Sequence, residues 1–256
     1  KKEDMKPASF TPDELFKHSK PAGVNRINLI QMSFYGFDNS YMLDMIRLHE
    51  GVFVGTAVID PQPRDVAAKM EQLAPRGVRA FRIHPRLRGQ PPEKWLKPEG
   101  FAKMFAAAAK NRQALSCLID PDGLPEVDRM CADHPDTTVI IDHLARIGAD
   151  GTIRDKDVDA LCGLAKHKKA MVKVGAFYAL GRKQPPYDDL AVLIKRVVKA
   201  FGPDRCMWES DCPFQVQGDH TYEASIDLVR KRLDFLTADD RDWLLFKTAD
   251  RVFFAR

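Results

Sequence analysis

Residues 114–142 read ALSCLIDPDGLPEVDRMCADHPDTTVIID. Two apolar runs, ALSCLI (114–119) and TVIID (138–142), flank a helical segment that Pro125 opens and EVDRMCADH continues. Neither run alternates cleanly between polar and apolar residues. Runs of that kind belong in parallel sheets covered on both faces. Proline is tolerated in a first helical turn, where the N–H it lacks would have no partner. The stretch is therefore a strand–helix–strand unit, the block from which open α/β sheets and closed barrels are built.

The same rhythm extends in both directions. RINLIQ (26–31), VFVGTAVID (52–60) and VRAFRI (78–83) precede the unit, and AMVKVG (170–175) and RCMWES (205–210) follow it, giving seven β-like runs. Between them Asn39 opens SYMLDMIRLHE, Pro63 opens RDVAAKMEQLA, Pro98 opens EGFAKMFAAAAKN and Asp155 opens KDVDALCGLAKH, while Gly202 stops PPYDDLAVLIKRVVKAFG. Asn and Asp suit helix N-caps and Gly suits helix ends. TYEASIDLVRKRLDFL and TADDRDWLLFKTADRVFFAR close the chain, the second with Thr237 as its cap. No GxGxxG follows a strand and no GxxxxGK precedes Ser or Thr, so nucleotide-binding sheets lose support. A (β/α)8 TIM barrel needs eight strands, and this sequence supplies seven. TPDELFKHSKPAG reads as the helix that follows a first strand. The expectation is one domain over residues 1–256, a (β/α)8 barrel with strand 1 absent from this sequence.

Composition narrows the function classes. The 256 residues carry 40 Lys and Arg against 36 Asp and Glu, a net charge of +4, with 45% hydrophobic and 30% charged residues. This is a globular composition able to enclose a core. No apolar run is long enough to span a bilayer, and KKEDMKPASF at the start has charge but no apolar stretch behind it, so neither a membrane span nor a signal peptide is expected. The basic residues are spread too evenly for a nucleic-acid surface, with KHKK at 166–169 the densest cluster. A small anionic substrate suits the balance better. Cysteines at 117, 131, 162, 206 and 212 are odd in number and form no CxxC pair. That points to reduced thiols and a cytoplasmic setting.

In parallel barrels chemistry gathers where strands end. The runs here exit into Asp60; His84 to Arg88, with Arg82 inside the strand; Asp120 and Asp122; Asp142, His143 and Arg146; Tyr178 and Arg182; and Glu209, Asp211 and Cys212. Arginine forks at such a rim bind carboxylates in bidentate fashion, although they can also pair with rim aspartates. His84, before a proline, reads as structural. His143 directly ends an apolar run and reads as a catalytic group or a ligand. Asp211 ends the last run in a turn shaped by Pro213, where an acid has little packing reason to be.

The segments NLIQMSFYGFDNSYMLD, GVRAFRI, VIIDHLARIG, MVKVGAFY and RCMWESDCPFQ resemble the amidohydrolase-related (amidohydrolase 2) metal-dependent hydrolases, the group containing 2-pyrone-4,6-dicarboxylate lactonase and sugar-lactone hydrolases. The resemblance runs from about residue 11 to the C-terminus and implies the (β/α)8 fold. Members usually carry His-x-His at the end of their first strand. Here every histidine is isolated, at 18, 49, 84, 134, 143, 167 and 220. One strand-end His and one Asp do not make the three-ligand site that zinc usually takes. The resemblance then points to the lactonase branch, with no cofactor expected. Zinc is the alternative, and Asp211 and His143 would be its ligands.

By the same resemblance Arg82, Arg88 and Arg146 would hold substrate carboxylates, with Tyr178 and Arg182 on the far side of the pocket. Asp211 would act as general base on water, and His143 would hydrogen-bond the lactone carbonyl. Cys212 is a rival nucleophile. A zinc- or manganese-dependent amidohydrolase or decarboxylase is the second function, and a truncated, inactive barrel or binding protein with RINLIQ and RCMWES as open edges the third. Trp243, Phe246, Phe253 and Phe254 could offer a homodimer face, but packing on the barrel is the preferred reading.

Overall fold

The computed structural model describes residues 7–62, 64–85 and 94–255. Seven strands alternate with helices: β1 (Ile27–Ile30), β2 (Phe53–Ala57), β3 (Val78–Ile83), β4 (Ala114–Cys117), β5 (Thr138–Ile141), β6 (Ala170–Gly175) and β7 (Cys206–Glu209). Each falls inside its expected run. Helix α1 (Pro12–Ser19) precedes β1, and α2 (Ser40–Leu48), α3 (Val66–Leu73), α4 (Glu99–Asn111), α5 (Leu124–Asp133), α6 (Asp155–Gly163) and α7 (Ala191–Phe201) fill the connections. After β7 come α8 (Tyr222–Asp227) and α9 (Ala238–Asp242), both continued by wider turns that end in the segment Asp250–Phe254.

The caps follow the chemistry of the sequence except at Asn39 and at Asp155, which is the first residue of α6 and makes no cap bond. Thr11 and Thr237 each accept from a backbone N–H three residues on, and Glu14 and Asp240 reach back to complete capping boxes. Asn39 caps nothing. Its buried amide donates to the Val58 carbonyl at 2.9 Å and accepts from the Val58 N–H at 3.1 Å, so it clamps the exit of β2 to the start of α2. Asp38 takes the vacated role by accepting from the Ser40 N–H at 2.9 Å. Pro63 lies outside the described residues.

All strands are parallel and pair in chain order, from β1 to β7. Sequential order without a reversal is the winding of a barrel, not of a doubly wound sheet. The sheet also curls. Residues leaving β1 and β7 line one cavity, whereas a flat sheet would hold those strands roughly 29 Å apart. Among the described residues the architecture is a seven-stranded, TIM-barrel-like α/β fold. All five cysteines are free. No helix among the described residues is long and apolar enough to cross a membrane.

The strand period of two sorts the side chains. Phe53, Phe81, Leu115, Val139, Ile141, Val172 and Trp208 face the helices and belong to the main core. On α7 the buried positions are Leu193, Ile194, Val197, Val198 and Phe201, one helical face laid on the sheet. The other strand face looks inward. Val54, Ala80, Ala114, Ile140, Met171 and Met207 form a second cluster with Phe253 of the C-terminal segment, which plugs the floor of the curled sheet. The packing reading therefore holds for Phe253, while Phe246 is exposed. One pleat nearer the strand ends, the inward positions are Thr56, Arg82, Ser116, Lys173 and Glu209, with Asp142 directly after β5.

Candidate active site

A cavity of about 280 Å³ opens above that polar layer, at the C-terminal ends of the strands. Asp211, His143, Arg82, Arg146 and Tyr178, read from the sequence as site residues, all line it, together with Gln31, Val58, His84, Leu118 and Phe214. Arg182 does not. Its side chain is 75% exposed and lies 3.7 Å from Asp189. Arg88 lies outside the described residues. A larger cavity of about 440 Å³ sits at the opposite, N-terminal end of the strands. It contains no histidine, and its Arg205 is engaged with the carbonyls of Phe201, Ala165 and His167.

His143 reaches the cavity through unusual backbone. His143, Leu144, Ala145 and Arg146 all have positive φ, between 53° and 55°. A left-handed turn costs an L-residue about 1–2 kcal/mol each, so this one must be held by its surroundings. Leu144 and Ala145 are fully buried, and the Ile147 N–H donates to the Leu144 carbonyl at 3.2 Å. The turn brings residues three apart to one side, so both His143 and Arg146 look into the cavity. The imidazole Nδ1 lies 2.5 Å from Glu209 Oε1, and the His143 backbone N–H donates to the same oxygen at 3.2 Å. Burial opposes charge on the ring, but Glu209 and Asp211 overcome it, and the pKa of His143 stands above the ordinary imidazole value.

Asp211 follows β7 with φ of 51° and accepts from the Tyr178 hydroxyl at 2.7 Å. Burial and the adjacent carboxylate push the Tyr178 phenol far above its ordinary value, so it serves as a fixed donor. Cys212 is a poor nucleophile, because burial pushes its thiol up to about 12.

Arg82 is buried, with Nη2 3.3 Å from Asp142 Oδ2. Its Nε and Nη2 have no hydrogen-bond partner. Arg146 sits higher, half exposed, 3.1 Å from Asp120.

Beneath these groups lies a charge network that the sequence reading did not assemble. Lys173 Nζ is 2.8 Å from Asp142 Oδ1 and 3.6 Å from Glu209 Oε2, and Ser116 Oγ donates to Asp142 at 2.6 Å. Burial raises the pKa of both acids, yet the net shifts are downward. Lys173, then Arg82, holds Asp142 below the usual carboxylate range, and His143, then Lys173, does so for Glu209. One signal was available: a lysine in the middle of AMVKVG cannot be buried without a partner.

Lys173, Arg82 and His143 thus face Asp142, Glu209 and Asp211. Among the described residues no group of three or more His, Cys, Asp or Glu is placed to hold a metal ion. Asp142 and Glu209 already face an ammonium, which leaves His143, through Nε2, and Asp211 as the donors at the cavity. Two such donors do not make the three-ligand site that a catalytic zinc usually takes.

The family model described as Amidohydrolase matches residues 1–255. A zinc-bound amidohydrolase from Burkholderia multivorans superposes with a TM-score of 0.85 at 20% identity, covering 96% of this chain and 88% of that one. A probable 2-pyrone-4,6-dicarboxylic acid hydrolase from Acinetobacter baumannii, with citric acid bound, gives 0.79 at 22% identity, covering 97% and 93%. A 5-carboxyvanillate decarboxylase from Sphingomonas paucimobilis gives 0.70 at 12% identity, covering 96% and 83%.

Proposed function

The chain belongs to the amidohydrolase family, and from that premise we propose that it hydrolyses a carboxylated lactone or similar cyclic ester. The observation that carries the reading is the convergence of Asp211, His143 and a buried, incompletely bonded Arg82 on one small cavity at the strand ends. A guanidinium in the wall of that cavity favours a carboxylate ligand, to which it can make charge-assisted hydrogen bonds. Citric acid in the Acinetobacter baumannii protein is in keeping with an anionic ligand.

In this mechanism Arg82 and Arg146 hold the substrate carboxylate so that the ring ester lies beside Asp211. Asp211 accepts a proton from water as the water oxygen bonds to the lactone carbonyl carbon. His143 donates a hydrogen bond to the oxyanion that forms. The ring C–O bond then breaks, and the proton on Asp211 passes to the leaving oxygen. Tyr178 keeps the carboxylate of Asp211 oriented between the two transfers. Free thiols support a reducing, cytoplasmic setting.

The zinc in the Burkholderia multivorans relative weighs toward the zinc alternative over the expectation of no cofactor. The donor set described above weighs against a closed site, and no step here passes through a metal. A panel of carboxylated lactones, assayed with and without chelator and with added zinc, tests the reading. Asp211→Asn should lower kcat by roughly 10³-fold or more while leaving the thermal transition unchanged. Near-full hydrolysis by that variant would overturn the role of Asp211, and loss of activity with chelator would favour the metal-dependent reading.

A further inference from the structure

Glu209 has no part in the steps above, yet it is one of the most committed side chains in the molecule. It ends β7 with its side chain 13% exposed. Its Oε1 faces both the ring Nδ1 and the backbone N–H of His143, and its Oε2 faces Lys173, itself held by Asp142. Two bonds from one oxygen to the ring and to the main chain of the same residue fix the imidazole plane relative to the left-handed turn that carries it. A second observation is independent of the histidine. Gly175 on β6 pairs with Glu209 across the ladder, and a methyl at Gly175 would collide with Glu209 Cγ and its carbonyl oxygen. Strand β6 is bare where the Glu209 side chain must lie.

We propose that Glu209 is the positioning residue of His143: it accepts the Nδ1–H of an imidazolium ring and thereby aims the remaining Nε2–H into the cavity toward the substrate carbonyl, with Lys173 and Asp142 anchoring Glu209 from below. The proposal rests on the reading of His143 as the carbonyl partner. A carboxylate at Nδ1 favours the ring form that carries a proton on both nitrogens, and one oxygen of Glu209 supplies it here. Gly175 is the clearance that permits it.

The test combines ring spectroscopy with kinetics. Protein with 15N-labelled histidine, the His143 signals being identified by their loss in His143→Asn, should show a hydrogen-bonded proton on Nδ1 of His143. Glu209→Gln should displace that signal and lower kcat by roughly 10–10²-fold, with KM changed far less. Gly175→Ala should act in the same direction, and Glu209→Asp should recover part of the loss. A wild-type His143 with a bare Nδ1 and its proton on Nε2 would overturn the proposal, and so would wild-type kcat and ring signals in Glu209→Gln. If Glu209→Gln fails to fold, the wild-type spectrum still decides. If no lactone is turned over, the substrate reading fails while the spectrum still judges Glu209. If Asp211→Asn is inactive and Glu209→Gln is fully active, the positioning role fails and the lactonase reading stands.

Discussion

Two levels of the barrel interior, one pleat apart on the same strands, differ completely in character. At the lower level Val54, Ala80, Ala114, Ile140, Met171 and Met207 close around Phe253. At the upper level the same strands carry Thr56, Arg82, Ser116, Lys173 and Glu209, with Asp142 directly after β5. The lower level gains stability by removing apolar surface from water. The upper level spends stability, because buried charges are tolerated only in pairs and even then seldom repay their desolvation. The difference teaches where function resides. The charge network at that depth forms the floor of the cavity containing His143 and Asp211.

The comparison can be broken most forcefully at Lys173. Lys173→Met removes the cation between Asp142 and Glu209 and leaves only Arg82 and His143 to offset two buried carboxylates, so denaturant unfolding should show a loss of about 4 kcal/mol. Next is the floor. Phe253→Ala should cost about 3 kcal/mol by the same measurement, with kcat per folded molecule unchanged, because the cavity it leaves is remote from the strand ends. An upper-level change alters chemistry and stability together, whereas a lower-level change alters stability alone.

Acid should reveal a smaller effect with a definite sign. Asp142 and Glu209 have pKa values below those of unfolded chains, about 3.9 and 4.3. As pH falls below about 4 the unfolded chain takes up protons that the native network refuses, so the unfolding midpoint should drop there and continue to drop through the native pKa values. His143 has a raised pKa, so its contribution is complete below about 6.5 and is lost as pH rises through the native value. The acid loss should flatten in Lys173→Met, where Asp142 has lost the strongest influence lowering its pKa. The smallest effect belongs to the rim. Arg146 and Asp120 form a half-exposed pair, so Arg146→Gln should change stability by less than about 1 kcal/mol while raising KM for a carboxylated substrate.

Some of these features could be read directly along the chain. Every strand falls within an apolar run, because a buried parallel strand has to be apolar nearly throughout. The site residues named at strand exits share a cavity in five cases, Asp211, His143, Arg82, Arg146 and Tyr178, since parallel winding carries all such exits to one end. Arg182 shows the limit of that logic. It sits a few residues beyond an exit, and its side chain turns to solvent and Asp189. Asn39 shows another, as its amide bonds the Val58 carbonyl just beyond β2 and not the helix end.

What the sequence by itself determined was the alternation of strand and helix, the parallel barrel-like winding and the collection of His143 and Asp211 at one rim. These follow from local periodicity, and periodicity is a property of neighbours in the chain. What only the tertiary structure decided was partnership. Glu209 meets His143 across 66 residues of chain, Lys173 lies between two acids from different strands, and Gly175 leaves room for Glu209. Those contacts depend on strand register and on the curl of the sheet. Both are set by packing the whole core at once, and no short window of sequence contains that information.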